Sequence, residues 1–141
     1  KLNVDSGLFQ AIQIAGIAAL NAPAARLAPL LATYRRRRDL LVDGLRQHGW
    51  PVTPPRATFY LWARVPRGLS SASAAHRLLA DGRVIATPAT GFGAGGEGYV
   101  RMALTVPEPR IREAIRRIGQ LKLWSSRTSG SARISAIAAR P

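Results

Sequence analysis

Residues 91 to 105 read GFGAGGEGYVRMALT, a glycine-rich turn that opens directly into a short apolar strand. Gly93, Gly95 and Gly98 satisfy the spacing G-x-G-x-x-G, but a dinucleotide fingerprint must follow a strand and open a helix whose N-terminus receives the pyrophosphate. Here the glycines open a strand, so they read as a turn that lets the backbone pass close to a neighbour. The strand predicted over Tyr99 to Thr105 has apolar residues on both faces and is expected to be buried. It carries one arginine, Arg101. A buried guanidinium needs an anionic partner. Two readings are open: Arg101 snorkels to water or pairs with Glu97, or it receives a ligand carboxylate or phosphate through its planar fork.

Protein carboxylates are scarce, because seven Asp and Glu stand against twenty-one Lys and Arg, a formal charge of +14. Such a balance invites a nucleic-acid or acidic-membrane reading. The distribution argues against it: all the basic residues except Lys1 and Lys122 are arginines spread through amphipathic segments and loops. No aromatic residues interleave with a compact basic patch, as on a single-strand stacking platform. A small basic α+β module that binds nucleic acid is kept as the alternative. Absent cysteines exclude a disulfide scaffold and a thiolate zinc site, and suit the reducing cytoplasm. No apolar run reaches the roughly eighteen residues of a membrane helix, and no signal peptide is recognised. The 141 residues, 47% apolar, suit one ordinary domain. The first residue is Lys1, which raises the expectation that the chain was cut from something longer.

Helical spacing runs through positions 8 to 20, with Ser6 and Gln10 near its N-terminal cap. Pro23 interrupts it, and a long helix is predicted through Leu27, Leu30, Leu31, Tyr34, Leu41 and Leu45 to a stop at Gly49. Arg35 is expected to pair with Asp39 on a solvated face of this helix. Pro51, Pro54 and Pro55 lead into a strand at 58 to 65, ended by Pro66. Ser70 to Ser73 cap a helix carrying Ala75, Leu78 and Leu79 and stopping at Asp81 and Gly82. A short strand through Val84, Ile85 and Ala86 is predicted next. Thr105 and Glu108 form a capping box for a last helix that turns Ile111, Ile115, Ile118 and Leu121 inward. This order predicts an α+β fold, a small sheet packed with helices. Beyond Trp124 the periodicity fails, and 124 to 141 reads as a disordered tail. His48 and His76 have no ligand pattern around them, so no metal site is expected. The serines near 70 lack a base, and neither Lys1 nor Lys122 resembles a desolvated Schiff-base lysine, so no catalytic residue is assigned.

Three stretches in order carry a resemblance: NVDSGLFQAIQIAGIAAL at 3 to 20, YRRRRDLLVDGLRQHGWPVTPPRATFYLWARVP at 34 to 66, and TPATGFGAGGEGYVRMALTVPEPRIREAIRRI at 87 to 118. Together they resemble the C-terminal part of class I/II aminotransferases of pyridoxal phosphate fold type I, in the branch of LL-diaminopimelate aminotransferase-like enzymes. The likeness runs from about residue 1 to about 121, and Y-x-x-R-R-D with G-E-G-Y-V-R-x-A-L is its most specific pair of elements. It implies a small domain at 34 to 123, preceded by a long interdomain helix, with residues 1 to 33 at the junction with a large domain. It further implies a cytoplasmic homodimer of amino-acid biosynthesis that transfers an amino group between an amino acid and a 2-oxo acid. Arg101 matches the arginine that binds the substrate α-carboxylate, and Phe59 an aromatic near the substrate. Asn3, Asp5 and Ser6 match a segment close to the active site at the domain and subunit junction. The family's cofactor-binding lysine belongs to the large domain, upstream of NVDSG. The resemblance therefore implies no stable pyridoxal phosphate binding, and no activity, for this chain alone. One departure stands out: relatives show P-G-x-x-F-G where this chain has Ala89 after Pro88. If position 89 required φ > 0, alanine would cost about 1 kcal/mol there.

Overall fold

The computed structural model describes residues 8–124. The predicted cap at Ser6, the junction residues Asn3 and Asp5, and nearly all of the predicted tail lie outside the described residues. The chain divides into two units, Lys1–Thr33 and Tyr34–Pro141.

In the first unit, helix α1 spans Gln10–Leu20, with Phe9 at its N-cap and no capping side chain. None of its residues is buried, and Ile12, Ile14, Ile17 and Leu20 are 55 to 88% exposed. Pro23, which has no N–H to place in a helix, precedes a 3-10 turn at Ala24–Leu27. Helix α2, Ala28–Gln47, follows and runs on into the second unit. No single described helix is long and apolar enough to cross a membrane.

The second unit is built on a three-stranded antiparallel sheet in the order β1-β3-β2, where β1 is Tyr60–Arg64, β2 is Thr87–Pro88 and β3 is Tyr99–Ala103. Register pairs Leu61 with Met102, Trp62 with Arg101 and Ala63 with Val100. On the far side of β3, Thr87 faces Arg101. Helix α3, Ser71–Ala80, and helix α4, Glu108–Gln120, complete the unit. One face of the sheet is apolar: Leu61, Ala63, Val100 and Met102 are buried with Leu41, Leu45, Leu78, Ile111, Ile115 and Ile118. Each large side chain so buried is worth about 1.5–3 kcal/mol.

Helix ends follow local chemistry. Gly49, at φ +80°, ends α2; its N–H reaches Arg46 O at 2.9 Å, and the Trp50 N–H returns to Leu45 O at 3.0 Å. That double closure satisfies the last carbonyls of the helix. Ser70 caps α3, its hydroxyl accepting the Ser73 N–H at 3.1 Å.

Several expectations are corrected. Val84 to Ala86 form no strand; the pairing falls one step later, on Thr87 and Pro88. The Val84 N–H is spent on Leu78 O at the end of α3 and so is not available to a strand partner, and Ile85 is 83% exposed. The first strand begins at Tyr60 rather than Thr58, because Thr58 has φ +77° and breaks the extended run. No Thr105–Glu108 capping box forms. Pro107 is the N-cap of α4, and the Glu108 carboxylate instead accepts from Arg36 Nε at 3.2 Å. Asp39 pairs with Arg38, at 2.7 Å, rather than with Arg35. The arginine run is also no purely solvated face, since Arg37 donates to Leu104 O at 3.1 Å and Arg38 to Pro55 O at 3.4 Å.

Candidate functional site

Alternation along β1 and β3 sends one set of side chains to the core and the other to the opposite face of the sheet. The outer set contains Tyr60, Trp62 and Arg64 from β1 and Tyr99 and Arg101 from β3. Arg101 sits on the central strand between Trp62 and Thr87. The expectation of a strand buried on both faces is therefore corrected: Val100 and Met102 are buried, whereas Arg101 is half-buried with its face open. Within the second unit, α2, α3 and α4 contribute their buried side chains to the face that holds the core.

Two aromatic rings bracket the guanidinium. Arg101 Cζ lies 4.0 Å from the Tyr60 ring centroid and 4.1 Å from that of Phe92. Phe92 comes from the 3-10 turn Ala89–Phe92 that follows β2. It also packs against Trp62, with centroids 6.0 Å apart, and Trp62 meets Tyr99 at 6.2 Å. Phe59 does not reach Arg101; its ring stands against Tyr60 at 4.5 Å and Tyr34 at 6.0 Å, one ring removed from the guanidinium.

Pairing of Arg101 with Glu97 does not occur. Glu97 Oε1 accepts the Ser71 backbone N–H at 2.8 Å, and this bond is the chief cause holding its carboxyl below the usual glutamate range. The buried Ser71 hydroxyl in turn accepts the Gly98 N–H at 2.8 Å and the Tyr99 N–H at 3.2 Å. Helix α3 thus grips the loop that leads into β3 and takes up the acidic group nearest to Arg101 in sequence. Among the described residues, Arg101 has no ion-pair partner.

The glycine-rich turn works by close approach. A Cβ on Gly96 would run into the carbonyl of Ala89, so the loop before β3 can cross the 3-10 turn only as glycine. Ala89 itself is fully buried and does not take a positive φ, so alanine carries no strain there. The positive φ values fall on Gly93 and Gly98.

These features form an arginine on a half-open sheet face, with two rings within 4.1 Å of its Cζ and, among the described residues, no anionic partner. Residues 3–118 match the model of the class I and II aminotransferases. The chain belongs to that family. The LL-diaminopimelate aminotransferase of Moorella thermoacetica is 52% identical over 118 residues, which are 84% of this chain and 30% of that protein. Among solved structures, substrate-bound BacF from Bacillus subtilis aligns with a TM-score of 0.76 and 31% identity, over 85% of this chain and 31% of that one. A Thermus thermophilus aspartate aminotransferase mutant aligns at 0.63 and 33%, over 69% of this chain and 26% of that one. This aminotransferase-family chain therefore spans about 30% of the length of the curated relatives it matches. The comparisons lend the nucleic-acid alternative no support.

A groove of about 750 Å³ lies between α2 and α4, lined by Leu40, Gly44, His48, Arg112, Ile115 and Lys122. None of the residues around Arg101 lines it. His48 owes its position to packing, since its ring fills the space a Cβ on Gly119 would need.

The sequence reading missed Tyr60 and Phe92. The signal for Tyr60 was the two-residue alternation from 60 to 64, which puts it on the face of Trp62; Phe92 lies in the glycine-rich turn and carried no periodic signal.

Proposed function

We propose that this chain is the substrate-orienting small domain of a pyridoxal phosphate-dependent amino-acid aminotransferase, and that Arg101 binds the substrate α-carboxylate. The observation that carries this reading is an arginine on the open face of a central strand with, among the described residues, no protein anion beside it. A guanidinium fork holds a carboxylate through two parallel hydrogen bonds, and a clamped carboxylate fixes the orientation of the substrate Cα–H bond. The contribution of Arg101 is positioning and charge neutralisation, not proton transfer. Phe59, through Tyr60, backs the site, and Asn3 and Ser6 belong to the junction segment of a homodimer. The whole protein would pass an amino group between an amino acid and a 2-oxo acid in the cytoplasm. LL-diaminopimelate is the first amino donor to test, because it is the one named for the relatives.

The described residues do not fit a pyridoxal phosphate site. Their only lysine, Lys122, follows α4 at φ +46° and lines the α2–α4 groove, away from Arg101. The cofactor would be held by the part of the relatives' length that this chain does not match, and the chain alone would have no transaminase activity.

The test is a chimera in which this chain replaces the matching segment of the Moorella thermoacetica enzyme. Arg101→Lys should cost roughly 2–4 kcal/mol in kcat/KM for the amino acid, because an ammonium cannot reproduce the paired fork, while the cofactor spectrum stays unchanged. An unchanged kcat/KM would eliminate the role.

A further inference from the structure

We infer that Tyr60 and Phe92 are positioning residues that hold the Arg101 guanidinium plane by contact from two sides, and so prepare it for a carboxylate. Two ring centroids lie 4.0 and 4.1 Å from one carbon, and the two rings make no contact with each other. They must therefore stand on different sides of it. Each ring is braced in turn, Tyr60 by Phe59 and Phe92 by Trp62. An arginine that stacks on aromatic rings keeps its N–H edge, the part that pairs with a carboxylate. An arginine side chain is rich in rotamers, and one already held gives up less of that freedom when the anion arrives. The two rings come from different parts of the chain, β1 and the 3-10 turn after β2, so the arrangement exists only when the sheet and turn are assembled. Phe92 is 51% exposed, and so large an apolar ring at the surface has no core to serve. It meets the Arg101 guanidinium and the Trp62 ring.

This inference rests on the carboxylate reading of Arg101, and two readouts on the 141-residue chain separate their failures. The Arg101 side-chain Nε–H signal is assigned by its loss in Arg101→Lys, and its order parameter is measured without ligand. It is then titrated with propionate as a probe carboxylate. In Phe92→Leu and Tyr60→Leu the order parameter should fall and propionate binding weaken by about two- to five-fold each, the worth of one exposed cation–ring contact. Phe92→Tyr and Tyr60→Phe should restore both. The amide signals of Leu61, Val100 and Leu104, which are buried, report whether each variant is folded. Should Tyr60→Leu unfold, Phe92→Leu, at an exposed position, carries the test. An unchanged order parameter in folded Phe92→Leu overturns the positioning role whatever propionate does. A guanidinium that loses order in the variants but never responds to propionate leaves the rings as its holders and sinks the carboxylate reading.

Discussion

Glu97 Oε1 accepts the backbone N–H of Ser71 at 2.8 Å, although the guanidinium of Arg101 follows only four residues along the chain. A single serine at the start of α3 thus ties down both the acidic group and the Gly98 and Tyr99 N–H groups, and among the described residues the strand arginine has no counter-ion.

Ser71→Ala should destabilise the second unit by about 1–3 kcal/mol, the cost of leaving partly buried donors unsatisfied. Urea unfolding measures it. A change within about 0.5 kcal/mol would mean that water reaches the Gly98 and Tyr99 N–H groups.

The Glu113 carboxylate is held by hydrogen bonds from Arg116 at 2.7 and 2.8 Å and from Arg117 at 2.8 Å, and its pKa is lowered to about 2. Since the folded value lies below the unfolded one, near 4.3, its contribution is present above pH ~4.3 and is lost as pH falls toward about 2. Chemical unfolding of Glu113→Gln across this window should show a shallower loss of stability with acid than the parent chain. Parallel curves would discount the pair as a stabilising feature, as is common for exposed ion pairs.

Gly44 lies on α2 where a Cβ would press on the Ile115 side chain at 2.5 to 2.9 Å. Helix propensity alone favours alanine there by about 1 kcal/mol. Crowding of a packed core typically costs 1–3 kcal/mol, so Gly44→Ala should be neutral to destabilising. Gly96→Ala should be worse, because it meets the Ala89 backbone, which cannot rotate away. Thermal unfolding of the two variants orders them.

Amides of residues 10 to 20 should exchange with solvent much faster than those of Leu41, Val42 and Leu45. The former belong to a helix without a buried residue, while the latter are 0 to 4% exposed. Strong protection of α1 in a demonstrated monomer would contradict this.

Much of the fold was legible because its signals are local. Gly49 ends α2, Ser70 caps α3, and Ile111, Ile115 and Ile118 face the core, each from a pattern spanning a few residues. The failures have a common cause. The Val84 to Ala86 strand, the Thr105 capping box and the Arg35–Asp39 pair were each locally sound, and each lost its groups to a competing partner: Leu78 O, Arg36 and Arg38.

The sequence by itself determined the α+β order, the family and the singling out of Arg101, because composition, periodicity and motif spacing are carried along the chain. Only the tertiary structure decided which face Arg101 occupies, that Glu97 is engaged elsewhere, and that Tyr60 and Phe92 flank the guanidinium. The Ser71–Glu97 bond and the Tyr60–Arg101 contact join residues 26 and 41 positions apart, the Phe92 contact depends on how the turn folds back on the sheet, and the face of Arg101 depends on strand register, which is set by how distant segments pack and not by the order of residues within any one of them.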